Sequence, residues 1–172
     1  LIPALLLSAA CGDSTRSSAD AAPDSPAWQA ALRLVREDFP DVPQRTTAQL
    51  ADLLERQPAG VVLLDARSVA EYEVSHLPGA VPASGLHTAL DALAGVGPAT
   101  TVVVYCSVGY RSSQLAERLL EHGRDNVFNL EGSIFRWANE GRPVYRGDER
   151  VNQVHPYDDE WGRLLSPHPT DP

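Results

Sequence analysis

One stretch of the chain combines a nucleophile with the means to stabilise it. Residues 102–112 read Val-Val-Val-Tyr-Cys-Ser-Val-Gly-Tyr-Arg-Ser. A β-branched run delivers Cys106, a short glycine-containing segment follows, and Arg111 opens a helical pattern. This spacing predicts a strand, a tight loop and a helix, with the thiol at the carboxyl end of the strand. In such a loop successive backbone N–H groups turn inward, and the following helix adds the positive end of its dipole. A sulfur anion at the centre is stabilised by both. Cys106 is therefore the candidate nucleophile, with Ser107, Val108, Gly109 and Tyr110 as its cradle and Arg111 closing the loop. The alternative is a small, inert core cysteine, which is seldom followed by a glycine turn and an arginine at a helix start.

Elements on either side supply the frame for this loop. Trp28, Ala31, Leu32, Val35 and Phe39 recur at helical spacing up to Pro40. Thr46-Thr47-Ala48-Gln49 is a capping box opening a second helix that buries Leu50, Leu53 and Leu54. Val61 to Leu64 is a short apolar run suited to a strand buried on both faces, and Asp65-Ala66-Arg67 follows at its end. Ser68 to Glu71 is another capping box. A turn at His76 to Gly79 leads to a short strand near Ala80–Pro82, and a helix capped by Ser84 carries Leu86, Leu90 and Leu93. Beyond the cysteine loop come the helix Arg111–His122, a strand Val127–Leu130 and a last short helix Ser133–Asn139. Strands alternating with helices at these lengths predict an α/β fold with a mainly parallel sheet. Ligands in such folds sit at the carboxyl ends of the strands, where Asp65, Cys106 and Glu131 all fall.

Composition narrows the chemistry. A chain of 172 residues with 43% hydrophobic content allows one domain with a substantial core plus tails. A formal charge of -9 argues against a nucleic-acid surface, which needs clustered Lys and Arg. The two cysteines, Cys11 and Cys106, fit no zinc spacing, and no metal site or cofactor is indicated.

The ordered set Leu63-Leu64-Asp65-Ala66-Arg67, Glu71-Tyr72, Ser75-His76-Leu77-Pro78-Gly79-Ala80, Tyr105 to Ser112 and Leu130-Glu131-Gly132 resembles the single-domain rhodaneses over roughly Arg45 to Pro143. The resemblance implies a rhodanese-like fold, with a five-stranded, mainly parallel sheet and helices on both faces. It also implies a sulfurtransferase. Cys106 would take sulfane sulfur from a small donor such as thiosulfate as a persulfide and pass it to a thiol or cyanide. On this reading Ser107, Val108, Gly109, Tyr110, Arg111 and Arg67 bind substrate. Arg67 also suits an ion pair with a nearby carboxylate, Tyr110 suits either contact with an acceptor or plain exposure, and His76 suits a hydrogen-bonded turn. Relatives that act as phosphatases or arsenate reductases have a longer loop between Cys and Arg. The shorter loop here favours sulfur transfer over phosphoryl chemistry. A second class of function is a sulfur-carrier or redox-sensing module for an envelope protein partner. Oligomeric state is left open.

The two ends lie outside this pattern. Leu7-Ser8-Ala9-Ala10-Cys11 closes an apolar stretch and resembles a bacterial lipoprotein processing site, although Ser8 stands where leucine is usual. An ordinary secretory signal is the alternative. Residues 12–26, rich in Ser, Ala, Asp and Pro, read as a flexible tether, so residues 1–26 form a signal remnant plus tether and residues 27–145 the domain. Residues 146–172 hold too many large apolar groups for a free tail. Trp161, Leu164 and Leu165 share one short helix face, and the segment is expected to pack back near Trp28. His155 there is a lone histidine, more suited to a structural role than to a metal. The expected location is the bacterial envelope, lipid-anchored through Cys11 or periplasmic. Mass spectrometry of the mature N-terminus from native membranes is expected to show a lipidated Cys11; an unprocessed residue 1–11 segment would contradict this.

Overall fold

The computed structural model describes residues 19–166; the expected processing site and Cys11 lie outside them. Five strands, β1 (Gln44–Arg45), β2 (Val61–Asp65), β3 (Val81–Pro82), β4 (Thr101–Tyr105) and β5 (Val127–Leu130), form an all-parallel sheet in the order β1-β5-β4-β2-β3. Six helices surround it: α1 (Pro26–Asp38), α2 (Thr47–Arg56), α3 (Val69–Val74), α4 (Leu86–Ala92), α5 (Tyr110–Glu121) and α6 (Ser133–Asn139).

The apolar run in β4 follows from its central place. Val103 and Tyr105 enter one core with Trp28, Leu50, Ile134 and Phe135, from α1, α2 and α6. Val102, Val104 and Cys106 enter the other with Ala89, Leu115 and Leu119, from α4 and α5. Both faces of the strand are covered from Val102 to Tyr105, so none of these positions suits a polar side chain pointing to water. Cys106 thus leaves the strand on the side where α5 begins.

Both capping boxes form. Thr46 Oγ1 accepts from Gln49 N–H while Gln49 Oε1 accepts from Thr46 N–H, and Ser68 and Glu71 do the same at α3. The helix α4 is capped at Gly85 and not at Ser84. The strand β1 was not expected. It has only two residues and no apolar pattern of its own, and it is held by its ladder to β5.

The two ends of the described segment converge on the Asn139 side chain. After a hairpin of β6 (Val144–Arg146) and β7 (Glu149–Val151), the chain runs to a 3-10 turn at Trp161–Leu164. Val154, Leu164 and Leu165 are buried in the same core as Trp28, with Trp161 packed against it. Asn139 Nδ2 donates to Leu164 O at 2.7 Å and to Ala21 O at 3.3 Å, and its Oδ1 accepts from Ser166 N–H at 2.8 Å. At the other end Ala21 is buried, Arg136 Nη2 donates to Pro23 O and Ser25 Oγ caps α1. At the C-terminal end of the expected tether Ala21 and Ser25 are buried, through partners on α6 and within α1, while Ala22, Pro23, Asp24 and Pro26 stay exposed. Among the described residues no helix is long and apolar enough to cross a membrane.

The C-terminal segment contributes side chains to the core, so its loss should be felt globally. Leu165→Ala, at 2% exposure, is expected to lower unfolding stability by about 2 to 5 kcal/mol in urea titrations; a change within error would show that the segment is merely draped on the surface.

Candidate active site

The loop from Cys106 to Tyr110 is held from outside by α6. Ile134 N–H donates to Cys106 O at 3.2 Å, Phe135 N–H to Ser107 O at 3.1 Å, and Cys106 N–H to Ser133 Oγ at 3.1 Å. With the carbonyls of Cys106 and Ser107 tied to the start of α6, the loop is anchored with its carbonyl side outward. The close approach demands glycine before α6. A Cβ on Gly132, at φ 73°, would lie 2.6 Å from Arg136 Cβ.

Inside the loop, Gly109 N–H donates to Cys106 Sγ at 3.2 Å. Gly109 has φ 123°, and a Cβ there would meet Asn129 Nδ2 at 3.2 Å, so only glycine presents this amide without strain. Ser112 Oγ lies 3.3 Å from Sγ and 2.6 Å from Asn129 Oδ1. Asn129, fully buried, is tied in turn to Gln44 Oε1 at 2.7 Å. Ser112 and Asn129 meet beside the sulfur without a local sign in the sequence, since a serine one place after the expected arginine and an asparagine inside β5 are far apart along the chain.

Arg111 closes the loop through Glu71. Its Nη1 donates to Glu71 Oε2 at 2.9 Å, and its Nη2 to Glu71 Oε1 at 2.7 Å and to Ser107 Oγ at 2.9 Å. Glu71 also accepts from Ser68 N–H and Oγ–H. Burial alone would raise the Glu71 pKa, but the hydrogen bonds from Arg111 and then from Ser68 hold it down, from 4.5 to about 2. The Arg111 pKa is raised; burial opposes this and is outweighed by the Glu71 hydrogen bonds and the neighbouring negative groups.

Arg67 lies apart from the cavity, which corrects its expected contact with substrate. It is 1% exposed, with Nε and Nη2 on the two oxygens of Asp65 at 2.9 and 2.6 Å and Nη2 also on Ser75 O at 2.6 Å. Tyr105 O–H donates to Asp65 Oδ2 at 2.6 Å and accepts from Leu77 N–H. The cluster fixes the end of β2 against the end of β4 and is spent on structure. His76 is buried with Nδ1 2.9 Å from Leu77 O, stacked on Tyr72. Glu131 is engaged by Arg36 and lies 3.7 Å from Arg136, away from the thiol. Trp137 is core, its Nε1 donating to Pro143 O. His155 Nδ1 accepts from Tyr157 N–H.

The mouth above Sγ is a cavity of about 120 Å³. Cys106, Val108, Tyr110 and Arg111 form one side, Tyr157 and Trp161 the other. Tyr110 is braced by its hydroxyl on Asp38 and edge-on against Phe39. A larger cavity of about 320 Å³ between α1 and the C-terminal turn holds no nucleophile. Among the described residues no group of three or more His, Cys, Asp or Glu side chains is placed to hold a metal.

The family model that describes the rhodanese-like domain matches residues 46–140, over half of the chain and across the whole cysteine loop. The chain belongs to the rhodanese-like domain family. Among curated relatives, a sulfurtransferase of Allochromatium vinosum is 33% identical over 84 residues, 49% of this chain and 78% of that protein. A tRNA uridine(34) hydroxylase of Pectobacterium atrosepticum is 29% identical over 111 residues, 61% of this chain but only 31% of that protein. Among solved structures, a thiosulfate sulfurtransferase from Pseudomonas aeruginosa superimposes with a TM-score of 0.60 at 27% identity, covering 72% of this chain and 23% of that one. The rhodanese-like domain of this chain therefore corresponds to a minor part of the two longer proteins.

Glu71 is protonated only in strong acid in the folded state, so its contribution to stability is complete above about pH 4.5 and is lost as pH falls toward 2. Glu71→Gln is expected to be less stable at neutral pH by about 2 kcal/mol and to converge with the wild type between pH 4.5 and 2 in denaturant titrations. Parallel curves across that window would remove the ion pair from the account.

Proposed function

We propose that the protein is a sulfurtransferase that carries sulfane sulfur on Cys106. The observation that carries the reading is the Cys106 sulfur held by the Gly109 N–H, with a cavity opening directly above it. The family and the sulfurtransferase relative support it.

In the first half-reaction the Cys106 thiolate attacks the outer sulfur of a donor. A new S–S bond forms on Sγ, the donor's own bond to that sulfur breaks, and the leaving group departs with the electron pair. The product is a persulfide whose terminal sulfur carries the charge. In the second half-reaction a nucleophile, a thiolate or cyanide, attacks the terminal sulfur and the Cys106 thiolate is restored as leaving group. Charge thus resides on one or other sulfur throughout, and the donors that face it are fixed before either step begins. Arg111 does not serve as a free cation here; paired with Glu71 and bonded to Ser107, it locks the loop.

Cys106 is the one free cysteine among the described residues, so no neighbouring thiol there competes for the persulfide. Incubation with thiosulfate followed by intact-protein mass spectrometry is expected to show one added sulfur, released by cyanide. Cys106→Ser is expected to lose transfer by at least about 1,000-fold; unloaded wild-type protein, or transfer retained in the serine variant, would refute the proposal. Fast release to a protein thiol with slow release to cyanide would mark the carrier form of the same chemistry.

A further inference from the structure

The segment Pro156–Gly162 lies outside the matched family domain, yet it supplies Tyr157 and Trp161 to the wall over the nucleophile, beside Ser107 and the rest of the loop. Its conformation is not one a tyrosine adopts by default. Tyr157 has φ 67°, in the left-handed region that a bulky side chain disfavours. The turn that holds it there is built from specific contacts: Tyr157 N–H donates to His155 Nδ1 at 3.0 Å, Trp161 N–H to Asp158 Oδ1 at 2.8 Å, and Gly162 N–H to Asp158 O at 2.9 Å. Gly162 packs so closely on Pro156 that a Cβ would come within 2.9 Å. The result places the Tyr157 ring over the Arg111 guanidinium, 4.6 Å from its centroid, while Tyr157 itself remains 47% exposed. A strained, half-exposed aromatic held over a nucleophile serves the cavity better than it serves the core.

Charge around this mouth is arranged against polyanions. Among the described residues the one cation lining it, Arg111, is paired with both oxygens of Glu71 and covered by the Tyr157 ring. Exposed Asp158, Asp159 and Glu160 follow one another in sequence between the two aromatic wall residues, and Asp38 accepts from the Tyr110 hydroxyl. The chain carries a formal charge of -9. A dianion approaching Cys106 meets no unpaired cation among the described residues that line the cavity to replace its water. An aryl or short alkyl group meets Val108, Tyr110, Tyr157 and Trp161, in a cavity approaching the size that accommodates benzene in a protein interior.

Resting on the sulfurtransferase reading, we infer that Tyr157 and Trp161 make the site selective for sulfane-sulfur donors with a small apolar or aryl group and at most one negative charge, in preference to inorganic thiosulfate. Benzenethiosulfonate and thiosulfate form a matched pair of probes. Each gives its outer sulfur to the Cys106 thiolate and leaves with the electron pair, as benzenesulfinate or as sulfite respectively. They differ in charge and in the phenyl ring.

The test is kcat/KM for each donor on the full chain, with cyanide as acceptor and sulfur loading of Cys106 followed by mass. Wild type is expected to favour benzenethiosulfonate by about tenfold or more. Tyr157→Asn, which suits the left-handed backbone, and Trp161→Ala should each lower that ratio severalfold, and Tyr157→Phe, which keeps the ring, should preserve it. A wild-type preference for thiosulfate, or a ratio unmoved by either variant, would overturn the inference while leaving sulfur transfer standing. Failure of both donors to load Cys106 would overturn the sulfurtransferase reading itself, and the selectivity with it.

Discussion

A sulfur anion at the end of a strand buried on both faces must be met by donors that the strand cannot supply. Its own amides are consumed by the ladders of β4 to β2 and β5. The structure meets this constraint with the Gly109 amide, turned onto Cys106 Sγ by a backbone angle that other residues resist, while the Ser112 hydroxyl beside the sulfur has its one hydrogen committed to Asn129 Oδ1. Much else follows from keeping that loop in shape. The first amides of α6 hold its carbonyls, the paired Arg111 and Glu71 tie it to α3, and Asn129 links it through Gln44 to the edge strand β1.

Two ion pairs near the loop illustrate how burial decides what a charge does. Asp65 and Arg67 are fully enclosed with Tyr105 and Ser75, and removing one partner would strand the other in the core. That pair is a structural clasp between two strand ends. Glu71 and Arg111 lie at the edge of the cavity, where the arginine side chain keeps 31% exposure while the carboxylate keeps 5%. The second pair positions the loop and at the same time withdraws its cation from the substrate. Both leave the sulfur facing neutral donors, which favour a thiolate or persulfide without binding it so tightly that transfer stops.

Much of this was legible in the sequence because the signals are local. The Val102–Val104 run, the Cys-to-Arg spacing and the capping boxes at Thr46 and Ser68 each depend on neighbours a few residues away, and each forms. Glu71 was readable as a cap but not as the partner of Arg111, forty positions along, since one carboxylate fills both roles. The strand β1 escaped notice because its two polar residues are recruited by β5. Arg67 stood between substrate binding and an ion pair because an Asp-x-Arg sequence looks the same whether its guanidinium faces a cleft or, as here, turns back on Asp65. Residues 19–26 have the composition of a tether, and only the distant Asn139 and Arg136 show why Ala21 and Pro23 are held at their carbonyls. Apolar residues in the C-terminal segment pointed to packing on the domain, while its arrival at the thiol depends on the Tyr157 turn, which has no sequence signature.

The account rests on Cys106 as the site where a second sulfur is held. A crystal structure of the protein after treatment with a sulfane-sulfur donor tests it most directly. The account predicts density for one additional atom on Cys106 Sγ, inside the loop and within hydrogen-bond reach of backbone amides, with Gly109 unchanged in conformation. An unmodified Sγ after treatment, or an added atom turned away from the loop into solvent, would contradict it.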